Sequence, residues 1–385
     1  MGDESLPNVS AQEDNNTQAF IEGQQGARAR YGRFNLAIVG NTGVGKSSLV
    51  NAIFGRNLAK VGRGLPVTQG IHYYSDAALG VWDFEGFEIG AAQSPGAQLR
   101  QNLELIAKRP QEEQISVVWY CIASTADRLT VPDIEMIQAL HASGLPVILV
   151  LTKVDWTKNP LNGQRKAPRP VEDFRDWLLN PHDGERPIFL PVQDVVLTST
   201  ADRHGKGSGH GLGDLLALTL ELSPEDEKDA FRIAQRLNLK WKRDMARPVV
   251  TAAAAAAGAA AAVPIPIADA IVLAPIQLGM MGRISVIYDI ELQTMLSATA
   301  IAQLGAQLSG QALARSLVKL VPVVGSAVNS TVAVALTMAM GESWMRLCER
   351  VHSGKLDLSK IEDHLGDFLP RLPDVLKHLA KGRSR

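Results

Sequence analysis

The chain has 385 residues, with 39 Lys plus Arg against 40 Asp plus Glu and a formal net charge of -1. At ~150 residues per domain this length predicts about two domains, and the balanced charge excludes nucleic-acid binding through an overall basic excess. Hydrophobic residues at 46% and charged residues at 21% exclude wholesale disorder. Two cysteines, Cys121 and Cys348, are too few for a disulfide scaffold and fit a reducing cytoplasm.

The first 25 residues are polar and acidic, with no apolar signal-peptide segment. Leu6 stands where a myristoylation pattern wants Ser or Thr. Residues 1–32 are therefore predicted to be a disordered leader. Phe34 to Val39 then reads as a buried strand. The run Gly40-Asn41-Thr42-Gly43-Val44-Gly45-Lys46-Ser47-Ser48 follows, and a helix with Leu49, Ile53 and Phe54 facing inward comes next. This is the phosphate-loop pattern G-x-x-x-x-G-K-[ST] in its strand-to-helix setting. Glycines let backbone N–H groups wrap phosphates without Cβ clashes, and the helix start adds partial positive charge. Lys46 is placed to reach the β- and γ-phosphates and Ser47 to hold Mg²⁺.

Downstream residues choose the base. Val81-Trp82-Asp83-Phe84-Glu85-Gly86 reads as a strand running into D-x-x-G. Asp83 would approach Mg²⁺ through water, and the Gly86 N–H would sense the γ-phosphate. Thr68, in Leu65-Pro-Val-Thr68-Gln-Gly70, is read as a loop threonine that closes on Mg²⁺. Ile115 to Ile122 reads as a central strand, with Trp119, Tyr120 and Cys121 in the core. Val147 to Leu151 is a strand that ends in Thr152-Lys153-Val154-Asp155. A carboxylate there accepts from guanine N1–H and its 2-amino group together, a donor pair that adenine lacks, so Asp155 argues for GTP. Lys153 would lay its stem along the base. Ser199 and Thr200, at the end of the strand that starts at Val195, are the candidates for the base-side loop.

In order and spacing, these motifs resemble the TRAFAC-class P-loop GTPases, in particular the Era-like, ribosome-binding branch. The resemblance covers about residues 33–222. It implies a doubly wound α/β sheet with the nucleotide at the carboxyl ends of the strands, GTP or GDP with Mg²⁺ as ligands, and slow hydrolysis. Thr152 replaces the more usual Asn of the base motif. Phe87 stands where Ras-like relatives carry the Gln that orients water, so the resemblance implies reliance on another polar group, a cation, a partner or self-association. Arg56 and Arg63 are candidate arginine fingers, in cis or across a homodimer formed through the G domain. Gly43 occupies the position of the potassium-binding Asn in some relatives. Turnover without a partner is expected on the order of 10⁻⁴ to 10⁻² per second.

The rest of the G domain carries fewer signals. Asp133 to His141 and Val171 to Leu179 read as helices, and residues 159–170 and 203–211 as solvated loops. His204 and His210, in the second loop, lack the Cys or carboxylate company of a metal site.

Ser223-Pro224-Glu225-Asp226 carries the signals of a helix start, and Phe231, Ala234, Leu237 and Trp241 recur at helical spacing. Residues 223–247 are predicted to be an amphipathic linker helix. Beyond it the composition changes. Residues 248–341 contain only six charged side chains: Asp269, Arg283, Asp289, Glu291, Arg315 and Lys319. Residues 248–385 are predicted to be an all-α, Ala-rich hydrophobic domain. Two uncharged runs, 248–268 and 320–341, reach the ~20 residues that span a bilayer. Pro264, Pro266 and a Gln303, Gln307, Gln311 stripe on a helix over 292–314 argue against lipid all round. Three readings stay open: a close-packed soluble domain, one that meets the inner face of a membrane through 248–341, and a spanning hairpin. Ala261 to Gln277 and Val321 to Ser326 resemble a hydrophobic helical domain of unknown function that follows G domains in some bacterial GTPases. The functional expectation is a GTP-dependent switch coupled to this domain. The alternatives are a membrane-associated G protein and a ribosome-assembly GTPase.

Overall fold

A computed structural model describes residues 9–55, 65–68, 71–84, 94–126, 128–158, 163–201, 209–262, 269–290 and 326–356. They belong to two compact units. One runs from Tyr31 to Asn238; the other joins the residues up to Arg30 with those from Leu239 onward.

The first unit is built on a seven-stranded sheet. Its strands are β1 (Phe34–Val39), β2 (Leu65–Thr68), β3 (Ile71–Ser75), β4 (Leu79–Phe84), β5 (Val117–Ala123), β6 (Val147–Thr152) and β11 (Asp194–Leu197). Their order is β11-β6-β5-β1-β4-β3-β2. The five strands from β11 to β4 pair in parallel, and β3 and β2 continue the edge antiparallel. All six residues of β1 and of β6 are buried, as expected of parallel strands covered on both faces. One face packs Tyr120, Trp82 and Leu149 against α3 (Pro95–Ile106) and α4 (Val131–Ala142) through Leu99, Leu103, Met136, Ile137 and Leu140. On the other face, Phe54 of α2 (Lys46–Phe54) stacks on Trp119 at 5.9 Å. Trp119 Nε1 donates to Thr219 Oγ1 of α6 (Leu212–Leu222) at 3.0 Å. The sheet is therefore doubly wound, as the resemblance implies. Two short hairpins lie between β6 and β11: β7–β8 (Thr157–Lys158, Arg165–Lys166) and β9–β10 (His182–Asp183, Arg186–Pro187), flanking α5 (Arg169–Leu179).

The predicted linker helix is two helices, and the first belongs to the sheet unit. Ser223 does not start a helix: its Oγ donates back to Thr219 O at 2.6 Å and closes α6. Helix α7 (Lys228–Ala234) inserts Phe231 against Phe34, with ring centroids 4.8 Å apart. The chain then breaks at Gln235, whose buried amide accepts from Asn238 N at 2.7 Å and donates to Arg232 O and Asn238 O. Arg236 N–H donates to Ile53 O at 2.8 Å. Helical spacing runs through Gln235 without sensing these contacts.

The second unit contains α1 (Val9–Tyr31) as far as Arg30, α8 (Leu239–Ala261), α9 (Asp269–Ile287) and α10 (Ser326–His352). The disordered leader expected over 1–32 is thus corrected: residues 9–31 are helical, with Phe20, Gln24 and Ala27 buried. The reason is close backbone approach. A Cβ on Gly23 would lie 2.4 Å from Gly279 O, and one on Gly282 would lie 2.3 Å from Phe20 O. Small residues act the same way between α8 and α10. A Cβ on Gly258 would meet Val334 Cγ2 at 2.6 Å, and one on Gly341 would meet Val250 at 2.6 Å. Ser330 Oγ donates to Gly258 O at 2.7 Å. Near the other end of α10, Glu349 pairs with Arg243 and accepts from Tyr288 Oη at 3.0 Å. Fully buried Lys242 donates to Ile287 O at 3.1 Å. No helix among the described residues is long and apolar enough to cross a membrane. Pro264, Pro266, the helix expected over 292–314 and the basic residues Lys377, Lys381, Arg383 and Arg385 lie outside the described residues, as does the side chain of Asp269.

Candidate functional site

The site forms where β1, β4, β5, β6 and β11 end. The backbone of the phosphate loop turns through left-handed glycines: Gly40 has φ 142°, Gly43 81° and Gly45 108°. At Gly40 the requirement is doubled, because a Cβ there would lie 2.3 Å from Cys121 O of β5. Lys46 opens α2. It is buried, and its Nζ donates to Gly40 O at 2.8 Å across the loop. The ammonium is thereby held over the cradle. Asn41, Thr42 and Gly43 are exposed on the rim, with Val44 N–H donating to Asn41 O at 3.4 Å. Ser47 and Ser48 are exposed in the first turn of α2.

Asp83 sits one residue from the end of β4, beside Ile38 of β1 in the register, and is half-buried. Its charge and that of Lys46 both reach Cys121. Burial pushes that thiol up to about 12, the Lys46 ammonium pulls it down, and Asp83 raises it. Cys121 is a protonated core group and no nucleophile.

The base motif is tied directly to the phosphate loop. Thr152 Oγ1 lies 2.5 Å from Val44 O and 3.2 Å from Ile122 O. Lys153 adopts φ 58°, and its Nζ donates to Gly43 O at 2.5 Å. Ser124 Oγ donates to Lys153 O at 3.2 Å. Thr152 replaces the usual Asn and still bridges the two loops. Asp155 is half-buried two residues further on. Gly45, Ser48, Leu49, Thr152, Lys153, Thr198, Ser199 and Thr200 line one cavity of about 70 Å³. The Ser199 hydroxyl is buried on its wall, with no hydrogen-bond partner among the described residues.

These residues fit a guanine nucleotide with Mg²⁺. The left-handed glycines leave a cradle open; nothing lies within 4 Å of a Cβ built on Gly43. The Ser199 hydroxyl awaits a polar neighbour. Ser47 and Asp83 supply oxygens of the kind Mg²⁺ takes when phosphates complete its shell. No group of three or more His, Cys, Asp or Glu that could hold a metal by itself occurs among the described residues.

Thr68 is corrected in place. It ends the edge strand β2 opposite Ile71, and is not in a loop. Gly86, Phe87, Arg56, Arg63 and His204 lie outside the described residues. Sequence reasoning missed Trp156 and Arg165, and weighed His210 only as a metal ligand. Trp156 and His210 lie with ring centroids 5.8 Å apart, and Arg165 Nη1 donates to His210 Nε2 at 2.5 Å. The adjacency of Trp156 to the T-K-x-D motif is the one local signal that could have drawn attention to it.

Residues 35–153 match the family described as "50S ribosome-binding GTPase". Residues 226–373 match a family described only as a domain of unknown function, DUF697. The chain is 28% identical over 116 residues to the "Probable GTP-binding protein EngB" of Mycoplasmopsis agalactiae, covering 30% of this chain and 59% of that protein. It is 33% identical over 126 residues to the "GTPase Der" of Brucella ovis, covering 32% of this chain and 25% of that protein. The chain thus spans less than two thirds of each of these relatives. A crystal structure of a probable GTP-binding protein EngB is similar at 17% identity, over 49% of this chain and 97% of that one, with a TM-score of 0.32. Motif order, sheet topology and both matches point the same way: residues 35–153 are similar to a GTPase G domain and residues 226–373 to a DUF697 domain.

Proposed function

We propose that this chain binds GTP and GDP with Mg²⁺, hydrolyses GTP slowly, and uses the bound nucleotide to switch its C-terminal helical domain. The observation that supports this best is the join between base motif and phosphate loop through Thr152, Lys153, Val44 and Gly43. A ligand with guanine at one end and phosphates at the other would be read by both motifs at once. The N–H groups of 43–48 and the Lys46 ammonium would hold the phosphates. Lys46 must leave Gly40 O to do so, exchanging a neutral acceptor for a charged one, which is the stronger bond. Ser47 and Asp83 would hold Mg²⁺, which neutralises phosphate charge. Thr68 remains the candidate for a further Mg²⁺ contact from the edge strand, and the Gly86 N–H for sensing the γ-phosphate. Asp155 would accept from guanine, with Ser199 and Thr200 beside it. Phosphoryl transfer needs positioning and charge neutralisation more than covalent help. With Phe87 in place of a water-orienting Gln, turnover is expected on the order of 10⁻⁴ to 10⁻² per second.

Binding of fluorescent GDP, GTP and ATP analogues tests the reading, with single-turnover GTP hydrolysis as its second arm. Guanine nucleotides should bind and the ATP analogue should not. Lys46→Ala should weaken GTP binding by ~10- to 100-fold, the worth of a charged hydrogen bond. Equal binding of ATP and GTP would contradict it, as would turnover at several per second by the isolated chain.

The description of the family matched by residues 35–153 favours a second reading, a GTPase that acts on the ribosome. Salt-sensitive co-migration with large ribosomal subunits in GTP but not GDP would support it. Nucleotide-dependent sedimentation with liposomes would instead favour the membrane reading of residues 248–341.

A further inference from the structure

Two loops carry the residues proposed to read the base, and one ring stands between them. Trp156 directly follows Asp155, and its ring lies 5.8 Å from the His210 ring. His210 is bridged to Ser199: Ser199 N–H donates to His210 O at 3.0 Å, and His210 N–H donates to Ser199 O at 2.8 Å. The Asp155 loop and the Ser199 loop therefore meet at His210. The ring is held from a third side. Arg165, on the second strand of the β7–β8 hairpin, donates through Nη1 to His210 Nε2 at 2.5 Å. A guanidinium offers only donors, so Nε2 is the acceptor. The hairpin is exposed along both of its two-residue strands, and this contact anchors it to the site. Ser199 itself is 4% exposed, and its unpartnered hydroxyl lines the cavity shared with Gly45, Thr152 and Lys153.

We infer that Arg165, His210 and Trp156 are positioning residues for the guanine base, so that the β7–β8 hairpin sets how long a guanine nucleotide stays bound. The inference rests on the nucleotide reading above. None of the three residues lines the cavity; they act through Asp155 and Ser199. Base recognition needs those two loops at a fixed spacing, because a carboxylate and a hydroxyl reach different edges of one rigid ring. The phosphate loop is built separately, on Gly40, Lys46 and the start of α2. Loss of the His210 contacts should therefore loosen the base end and leave the phosphate end intact.

The test uses the full chain with two probes, a fluorescent GDP analogue for the whole site and inorganic pyrophosphate for the phosphate loop alone. In Arg165→Ala and His210→Ala, release of the GDP analogue should accelerate by about tenfold, the weight of one lost charged hydrogen bond. Pyrophosphate affinity should stay at the wild-type value, which also reports an intact fold. Asp155→Ala serves as the reference, losing GDP and keeping pyrophosphate. Unchanged GDP release in both Arg165→Ala and His210→Ala, with Asp155→Ala behaving as stated, would overturn the positioning role and leave the nucleotide reading standing. Parallel loss of pyrophosphate and GDP in Arg165→Ala and His210→Ala would overturn it too, because the effect would not be confined to the base. Unchanged GDP binding in Asp155→Ala would overturn the nucleotide reading itself.

Discussion

Glu227 precedes α7, and its carboxylate accepts from Ser116 Oγ. Ser116 Oγ in turn accepts from Asn35 N at 2.9 Å, and Asn35 Oδ1 accepts from Tyr73 Oη at 2.8 Å. Burial raises the Glu227 carboxyl above its ordinary 4.5; the Ser116 bond lowers it partly and Asp226 adds to the rise. The folded chain thus holds this proton more tightly than the unfolded one. The resulting stability is present below pH 4.5 and is lost as pH rises through the raised value. Glu227→Gln should remove that loss. The stability of wild type minus that of Glu227→Gln, from urea unfolding between pH 4 and 8, should fall with rising pH. A flat difference would refute the assignment. At this scale the residues proposed to hold phosphate stand out in the sequence, because Gly40 to Ser48 is one contiguous run whose chemistry depends on local spacing. Trp156, Arg165 and His210 do not. They lie up to 54 positions apart, and no periodicity links a hairpin cation to a loop histidine.

Among the elements, strands read well and helix contexts read poorly. Strands β1, β5 and β6 are near-continuous apolar runs, interrupted in β1 only by Asn35, and such runs mark strands buried on both faces. Helix α1 is different. Its sequence is polar, and its packing rests on Gly23 and on glycines about 256 positions further along. Composition sees absent apolar side chains; the fold uses absent Cβ atoms. The same principle predicts the behaviour of the Ala-rich helices. Gly258→Val places carbon within 2.6 Å of Val334 Cγ2, and Gly341→Val does so at Val250. Each should destabilise the helical unit by ~1–3 kcal/mol through overpacking, whereas Ala252→Val, on the exposed side of α8, should cost about 0.5 kcal/mol or less. Chemical denaturation followed by helical circular dichroism measures all three. Equal effects at exposed and contact positions would sink the close-approach account. The break at Gln235 belongs here too: Arg236 N–H reaches Ile53 O, a tertiary bond that overrides an otherwise regular helical pattern.

For the whole molecule, the division of labour between the two units makes a calorimetric prediction. A ligand that binds only the folded state stabilises it by RT ln(1 + [L]/Kd), about 2.7 kcal/mol at a hundredfold excess over Kd. GDP with Mg²⁺ should therefore raise the unfolding midpoint of the unit formed by residues 31–238, and Lys46→Ala should abolish most of the rise. A GDP-induced rise that survives Lys46→Ala would place the nucleotide elsewhere. By itself, the sequence determined the motif order and the change of composition near residue 248, and through the resemblance those motifs carry it implied the doubly wound sheet. The first two are local or compositional: spacing along a strand, glycines in a loop, charges counted over a window. Only the tertiary structure decided that α7 packs with the sheet, that the residues before Arg30 join those after Leu239, and that Arg165 and Trp156 converge on His210. Those decisions rest on contacts between residues far apart in the chain, made by glycine surfaces, backbone groups and single polar atoms that leave no periodic trace.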